Sequence, residues 1–352
     1  MIAAKTTGRL CEGGTIRNVQ WGMFYGSSSP ALMLGPCDPV TGTMSLLRPR
    51  SEVYPGFRAA GSWALRFEAF DHVQIWAVER GECWLEFEDD HGIALLNEGD
   101  VFLLVNPPAY RLSSSLTVES LPTQAVWESA ANGQVCIGSE ADVDFGLFGG
   151  QIRFDEANAA VLTNVLPRLV HVRADDGRNE QLAQVAELFS TEVKNCSVGS
   201  PFLLDHLVQV LFVHMLRAHV GQTEHPLGWL GALCDDGVGA ALRALHGDVS
   251  HRWSLQELAA VAGMSRSTFA SAFRKQLGTT PLDYLIQWRM NLARDALRRN
   301  THSISELAVA TGYESESAFS TAFRRVVGSS PKQYRDAASR REPAGSRAAG
   351  SG

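Results

Sequence analysis

Two stretches near the end of this 352-residue chain carry small hydroxyl side chains interleaved with cations at helical spacing. The first holds Ser265, Arg266, Ser267, Ser271, Arg274 and Lys275. The second holds Ser315, Glu316, Ser317, Ser320, Thr321, Arg324 and Arg325, with Lys332 a little beyond. Short polar groups on one helix face allow close approach to base edges, while arginine and lysine reach phosphates. The chemistry these residues suit is hydrogen-bonded reading of a duplex, with no bond making or breaking.

Other side chains suit different chemistry. Trp76, Trp84, Phe102 and Tyr110 can line a pocket for a small apolar or aromatic molecule, their polar tips orienting it, or can simply fill a core. Cys83 and Cys136 fall on expected strands, where a thiol serves either as a redox sensor or as a small buried hydrophobe. The six cysteines (Cys11, Cys37, Cys83, Cys136, Cys196 and Cys234) form no C-x-x-C pair, so reduced thiols are expected and no zinc knuckle is written. His72 sits in a loop-like Asp71-His72 pair and His91 in a turn, positions poorly placed for metal ligation. Neither a metal nor a cofactor is expected.

The elements that must position the two polar faces form an internal repeat. Leu258-Ala259, Gly263 and Met264 match Leu307-Ala308, Gly312 and Tyr313 at an offset of 49. Beyond the glycine, Phe269, Phe273, Gly278, Pro281 and Tyr284 match Phe319, Phe323, Gly328, Pro331 and Tyr334 at an offset of 50, so the second turn has one extra residue. Each copy reads as an apolar helix, a glycine turn and a second helix with an inward Phe pair, which is helix-turn-helix grammar. Ser254 and Ser303 are expected to cap the first helices, and Ser265 and Ser315 to start the second. Between the copies, Leu282 to Arg299 lacks Gly and Pro, and Leu285, Trp288, Leu292 and Ala296 make an apolar stripe. Such a helix is ~27 Å long at ~1.5 Å per residue. With the offset of each unit it suits two recognition helices ~34 Å apart, one turn of DNA.

The rest of the chain divides around this repeat. Residues 226–352 hold 16 Lys and Arg against 11 Asp and Glu, whereas residues 1–225 hold 15 against 27, so the net charge of -7 conceals a basic rear third. From 46 to 155 the sequence reads as an all-β sandwich or barrel. Cys83, Leu85 and Phe87 alternate with Trp84, Glu86 and Glu88 before the Asp89-Asp90-His91-Gly92 turn, and Val101 to Val105 is a continuous apolar run. Helical spacing is expected over Ala157 to Val170, Asn179 to Lys194, and from Ser200, a cap with Pro201 behind it, through Leu204, Leu207, Leu211 and Met215. This last face suits packing against the β-domain or a homodimer interface. Residues 1–45 then form an N-terminal segment, 156–225 a helical connector with its linker, 226–336 the DNA-binding domain and 337–352 a flexible tail. With 45% apolar and 20% charged residues, wholesale disorder and fibrous repeats are excluded. The apolar stretch Leu203 to Leu216 contains Asp205, His206 and His214 and is shorter than the ~20 residues of a membrane span. No export signal is read in the first residues, so a cytoplasmic protein is expected.

Trp253-Ser254-Leu255-Gln256-Glu257-Leu258-Ala259, Gly263-Met264-Ser265-Arg266-Ser267, Trp288-Arg289-Met290, Gly312-Tyr313-Glu314-Ser315-Glu316-Ser317-Ala318-Phe319 and Gly328-Ser329-Ser330-Pro331-Lys332-Gln333-Tyr334-Arg335 resemble the AraC/XylS family of bacterial transcription regulators. The front half, with Gly61-Ser62-Trp63-Ala64-Leu65-Arg66-Phe67, Gly81-Glu82-Cys83-Trp84-Leu85, Gly99-Asp100-Val101 and Gly149-Gly150-Gln151, is similar to the cupin sensor of one branch of that family. The resemblance implies a multidomain chain: an N-terminal all-β cupin barrel with a helical connector, and a C-terminal all-α domain of two helix-turn-helix units. It implies promoter DNA as partner, activation through RNA polymerase, and an unknown small-molecule effector. Where a cupin metal would need histidines this chain has Trp76 and Tyr110, neither a usual ligand. A cupin enzyme or ligand carrier whose helical domain mediates protein contacts is the alternative reading.

Overall fold

The computed structural model describes residues 39–341 apart from 90–91, 124–125, 127–134, 156–157, 196 and 223–227. The described strands are β1 (Arg50–Ala59), β2 (Ala64–Phe67), β3 (Val73–Arg80), β4 (Glu82–Phe87), β5 (Ile93–Asn97), β6 (Val101–Val105), β7 (Tyr110–Ser113), β8 (Leu121–Pro122), β9 (Val135–Ile137), β10 (Phe145–Arg153) and β11 (Leu169–Val172). They form a six-stranded sheet, β11-β6-β3-β10-β1-β9, and a five-stranded sheet, β5-β4-β7-β2-β8. The alternation over 83–88 has the expected result: Cys83, Leu85 and Phe87 are buried between the sheets, and β4 pairs with β5 from Glu82↔Asn97 to Glu86↔Ile93. The unbroken apolar run of β6 also has its reason. Phe102 and Leu104 enter the space between the sheets, while Val101, Leu103 and Val105 join a second core on the other face.

That second core is supplied by helices. After a short α1 (Pro39–Leu47) and a single-turn α2 (Ala160–Thr163), α3 (Glu180–Asn195) and α4 (Ser200–Gln222) bring Leu182, Phe189, Val208, Leu211, Phe212 and Met215 against the six-stranded sheet. Glycines on β10 let the neighbouring strands and α4 approach closely. A Cβ on Gly149 would lie 2.1 Å from the Ile75 carbonyl oxygen, and one on Gly150 3.1 Å from the Val208 side chain. Among the described residues no helix is long and apolar enough to cross a membrane.

Several boundaries differ from the sequence reading. The helix expected over Ala157 to Val170 is only the turn α2, which ends at Thr163; Pro167 disfavours a helix beyond it, and Leu169–Val172 instead form β11, which pairs with β6 from Leu169↔Leu104 to Val172↔Val101. The β-unit thus continues past 155, and much of the expected connector belongs to it. Ser200 directs its hydroxyl to the Glu192 carboxylate, and its side chain does not cap α4. The segment before residue 46 is structural from 39 onward, since α1 lies against the C-terminal unit. The final helix runs through Arg341, so 337–341 of the expected tail are helical, and 342–352 lie outside the described residues.

The C-terminal unit contains α5 (Gly228–Ala232), α6 (Asp236–Gly247), α7 (Leu255–Val261), α8 (Arg266–Leu277), α9 (Pro281–Arg299), α10 (Ile304–Ala310), α11 (Glu316–Val327) and α12 (Pro331–Arg341). The repeat is visible as two matched pairs, α7 with α8 and α10 with α11, joined by α9.

Candidate nucleic-acid interface

Each pair is built by the same local rules. Ser254 and Ser303 cap α7 and α10, and each is answered by a glutamate three residues on, Glu257 and Glu306, whose carboxylate accepts from the cap's own amide. Ser265 and Ser315 cap the second helices, accepting from the amides of Thr268 at 3.2 Å and Ala318 at 3.1 Å. The Phe pairs Phe269/Phe273 and Phe319/Phe323 are fully buried. In the second pair Tyr313 packs edge-on against Phe319. With one face of α8 and α11 pinned inward by these rings, the opposite face is obliged to meet solvent.

On that face the structure places the expected polar residues. Ser265, Arg266, Ser267, Ser271, Arg274 and Lys275 are exposed on and before α8. Ser315, Glu316, Ser317, Thr321, Arg324 and Arg325 are exposed on and before α11, with Ser320 half-buried and Lys332 exposed on α12. The last turns of both helices are basic, Arg274 and Lys275 in α8 and Arg324 and Arg325 in α11. The first turn of α11 carries the acid Glu316, whereas α8 has none there. The two faces therefore differ in charge where each helix begins.

The connecting helix α9 is 19 residues long, close to the expected extent, and Pro281 stands at its first position behind the cap Thr280. Sequence reasoning missed how it is held. Arg289, 8% exposed, donates from Nε to the Val249 carbonyl and from Nη2 to the His251 carbonyl, both at 2.8 Å. Asp295, also buried, faces Arg48, Arg298 and Arg299, and Arg298 further pairs with Asp155. The signal present was an arginine and an aspartate on the apolar side of a helix, a placement that requires partners.

The aromatic positions expected of a pocket are arranged differently. Trp76, Phe102 and Tyr110 are fully buried among Phe57, Leu65, Phe67 and Leu112 between the sheets. Their polar tips face each other: the Trp76 indole N–H and the Tyr110 hydroxyl both donate to Gln74 Oε1, each at 3.1 Å. Tyr54 stacks on Trp76 and Phe67 on Tyr110. Trp84 points to the opposite face of β4, so it does not join the other three. A cavity of about 670 Å³ lies elsewhere, between the six-stranded sheet and α3, lined by Arg58, Glu79, Cys136, Ser190, Val193 and Lys194 among others. There Glu79 accepts from Ser190 at 2.7 Å and pairs with Lys194 at 2.6 Å.

The cysteine pair is likewise separated. Cys83 is buried between the sheets, and burial, reinforced by the Asp100 and Glu82 carboxylates, pushes its thiol well up, against the thiolate that redox chemistry requires. Cys136 is exposed on β9. His72 is half-buried and stacked on Phe70; burial and the neighbouring Arg153 lower its pKa. His91 lies outside the described residues. Among the described residues no group of three or more His, Cys, Asp or Glu is arranged to hold a metal ion.

Residues 38–221 match the family described as Cupin, and residues 258–337 the family described as Helix-turn-helix domain. The chain is 36% identical over 281 residues to an AraC-like transcription regulator of Streptomyces lividans, covering 80% of this chain and 92% of the relative. It is 30% identical over 284 residues to the HTH-type transcriptional regulator AlkR of Acinetobacter baylyi, covering 79% and 92%. Among solved structures it resembles the DNA-binding domain of AdpA in complex with a target DNA, at 35% identity over 31% of this chain and 99% of that one, with a TM-score of 0.30.

Proposed function

Since the chain belongs to the AraC-like family of transcription regulators, with a cupin unit ahead of a helix-turn-helix unit, we propose that it binds promoter DNA through two recognition helices, α8 and α11, in successive major grooves. The observation that carries this reading is the duplication: two units with matched caps and matched buried Phe pairs present polar faces from either end of one 19-residue helix. Arg266, Ser267, Ser271 and Arg274 read bases in the first groove, and Glu316, Ser317, Ser320, Thr321 and Arg324 in the second. Lys275, Arg325 and Lys332 attract phosphates. Ser265 and Ser315 hold the first-turn amides of their helices, a natural place for a phosphate oxygen.

The cupin unit acts as sensor and regulates without catalysis. Support comes from regulator relatives along most of the chain and from the two positions where a metal cupin would place ligands, occupied here by Trp76 and Tyr110 bonded to Gln74. Because Trp76, Phe102 and Tyr110 are buried in the core and Gln74 takes up the polar tips of Trp76 and Tyr110, we assign the small-molecule effector to the cavity against α3, where Arg58 and the Glu79–Lys194 pair supply charge. Phe202, Leu203 and Val210 are exposed on α4, which supports a homodimer through that helix. The site of action is the cytoplasm, where the chain activates transcription by contacting RNA polymerase.

Titration of a selected duplex and of a random duplex at several salt concentrations tests the DNA reading. Sequence-selective binding that weakens steeply with salt is expected. Absent or salt-insensitive binding would favour a helical unit that contacts protein instead.

A further inference from the structure

The length of α9 fixes how far apart the two recognition helices stand, but not how one is rotated relative to the other. Left-handed residues flank α9, Gly278 at φ 73 capping α8 and Asn300 at φ 51 capping α9, and each redirects the chain between helices. At ~10 base pairs per turn, a pivot of about 35° is the phase of one base pair. Something must lock the rotation if two grooves are to be read in register.

The structure has one point where the first unit, the connector and the second unit all meet. The loop 248–253 leads directly into α7, and its carbonyls at Val249 and His251 receive the guanidinium of Arg289 on α9. The other side of that guanidinium faces the turn between α10 and α11: its central carbon lies 5.8 Å from the centre of the Tyr313 ring, which itself packs on Phe319 of the second recognition helix. Gly312 closes the junction. Its φ is +75, and a Cβ there would stand 2.2 Å from the Ser250 carbonyl oxygen and 2.6 Å from Arg289 Nη2. The exposed pair Arg252 and Glu314 ties the same two segments at the surface.

We infer that Arg289 is a positioning residue that clasps the two helix-turn-helix units together and sets the separation and phase of the two half-sites this protein accepts. A lysine does not match this geometry, because the task needs forked donors aimed at two carbonyls while the same charge stays near the Tyr313 ring. The inference rests on the reading of α8 and α11 as the groove-binding helices.

The test is selection of binding sites from a random duplex pool with the full chain and with Arg289→Met. The wild type is expected to enrich two motifs at a single separation. The variant should enrich the same two motifs with separations spread over about two or three base pairs. On a fixed duplex, one inserted base pair should weaken the wild type about ten-fold, the scale of one lost base contact, and the variant far less. A folded Arg289→Met protein that keeps the single separation overturns the assignment. Should Arg289→Met fail to fold, the double variant Arg252→Ala with Glu314→Ala removes the exposed tie at the same junction. It is expected to broaden the separation to a smaller degree, and an unchanged separation there counts equally against the clasp. A wild type that enriches no paired motif would instead overturn the DNA-binding reading itself.

Discussion

The guanidinium of Arg48 stands 2.9 Å from the carboxylate of Asp295, a residue 247 positions further along the chain. Arg48 immediately follows α1 and holds a left-handed backbone, φ 47, that is unusual for a side chain of its size. Asp295 lies on α9, between the two helix-turn-helix units. Its carboxylate also faces Arg299 at 3.0 Å and Arg298 at 3.7 Å, while Arg298 reaches Asp155 at the end of β10. The cupin unit thus holds α9, the helix that joins the two helix-turn-helix units, and Leu46 against Trp288 and Val249 adds an apolar contact beside it.

A double-mutant cycle of Arg48→Ala and Asp295→Asn, followed by urea unfolding, is expected to give a coupling of about 0.5 to 1.5 kcal/mol. That is the lower part of the range for residues in contact, because the Arg48 side chain is 39% exposed. Additive losses would show that the two groups do not stabilise one another.

Asp100 gives a pH prediction. Burial alone would raise its carboxyl, but His171 at 2.8 Å and the backbone amides of Asn97 and Ala174 outweigh burial and hold it below the usual range. As pH falls, the unfolded chain therefore takes up this proton first, near pH ~3.9. The stabilisation is complete above that pH and is lost as pH drops through the lower, folded value. Asp100→Asn should be less stable than the wild type at pH 7, with a shallower loss below about pH 4. Parallel acid limbs in the two unfolding curves would contradict this.

Ser265 and Ser267 are neighbours with different duties. Ser265→Ala removes a helix cap and should cost about 1 kcal/mol of stability, weakening specific and random DNA alike. Ser267→Ala should leave stability within about 0.5 kcal/mol, the range of an exposed substitution, while altering base preference in the first half-site. Melting curves paired with binding to both duplexes decide it; equal effects of the two substitutions would count against the division.

For the thiols, an alkylating reagent applied to the native protein is expected to modify Cys136 and spare Cys83, and to reach Cys83 only on unfolding. Mass spectrometry of the digest reads this directly. Rapid native labelling of Cys83 would contradict its placement between the sheets.

Much of the exposed polar face of α8 and α11 was legible because helix caps and an i, i+4 Phe pair are local patterns: Ser254, Ser303, Phe269 and Phe319 announce helix starts and inward faces without knowledge of the rest of the chain. The alternation at Cys83, Leu85 and Phe87 was legible for the same reason. β11 was not, since Leu169 to Val172 becomes a strand only by pairing with β6, some 65 residues earlier in the chain. Of the aromatic positions, Trp84 is set apart by the alternation along β4, and the arrangement of Trp76 and Tyr110 was not legible because it depends on Gln74, whose oxygen takes up both polar tips. Arg289 and Asp295 stand on the apolar side of their helix, but their partners, the Val249 and His251 carbonyls and Arg48, lie about 40 and 247 residues away and could not be read locally.

Arg266 and Arg325 differ in the same measurable way as a base contact and a phosphate contact. Arg266→Ala is expected to relax base preference at one position by about 1 to 3 kcal/mol, and Arg325→Ala to weaken all sequences alike and reduce the salt slope by about one. Equal losses on specific and random DNA for Arg266→Ala would remove its base-reading role.

Footprinting the full chain on its selected duplex, with reagents that report major-groove access at each base, tests the central claim most directly. Protection of two major grooves one helical turn apart on the same face of the duplex is the predicted result. Protection confined to a single groove, or spread over both faces, would contradict it.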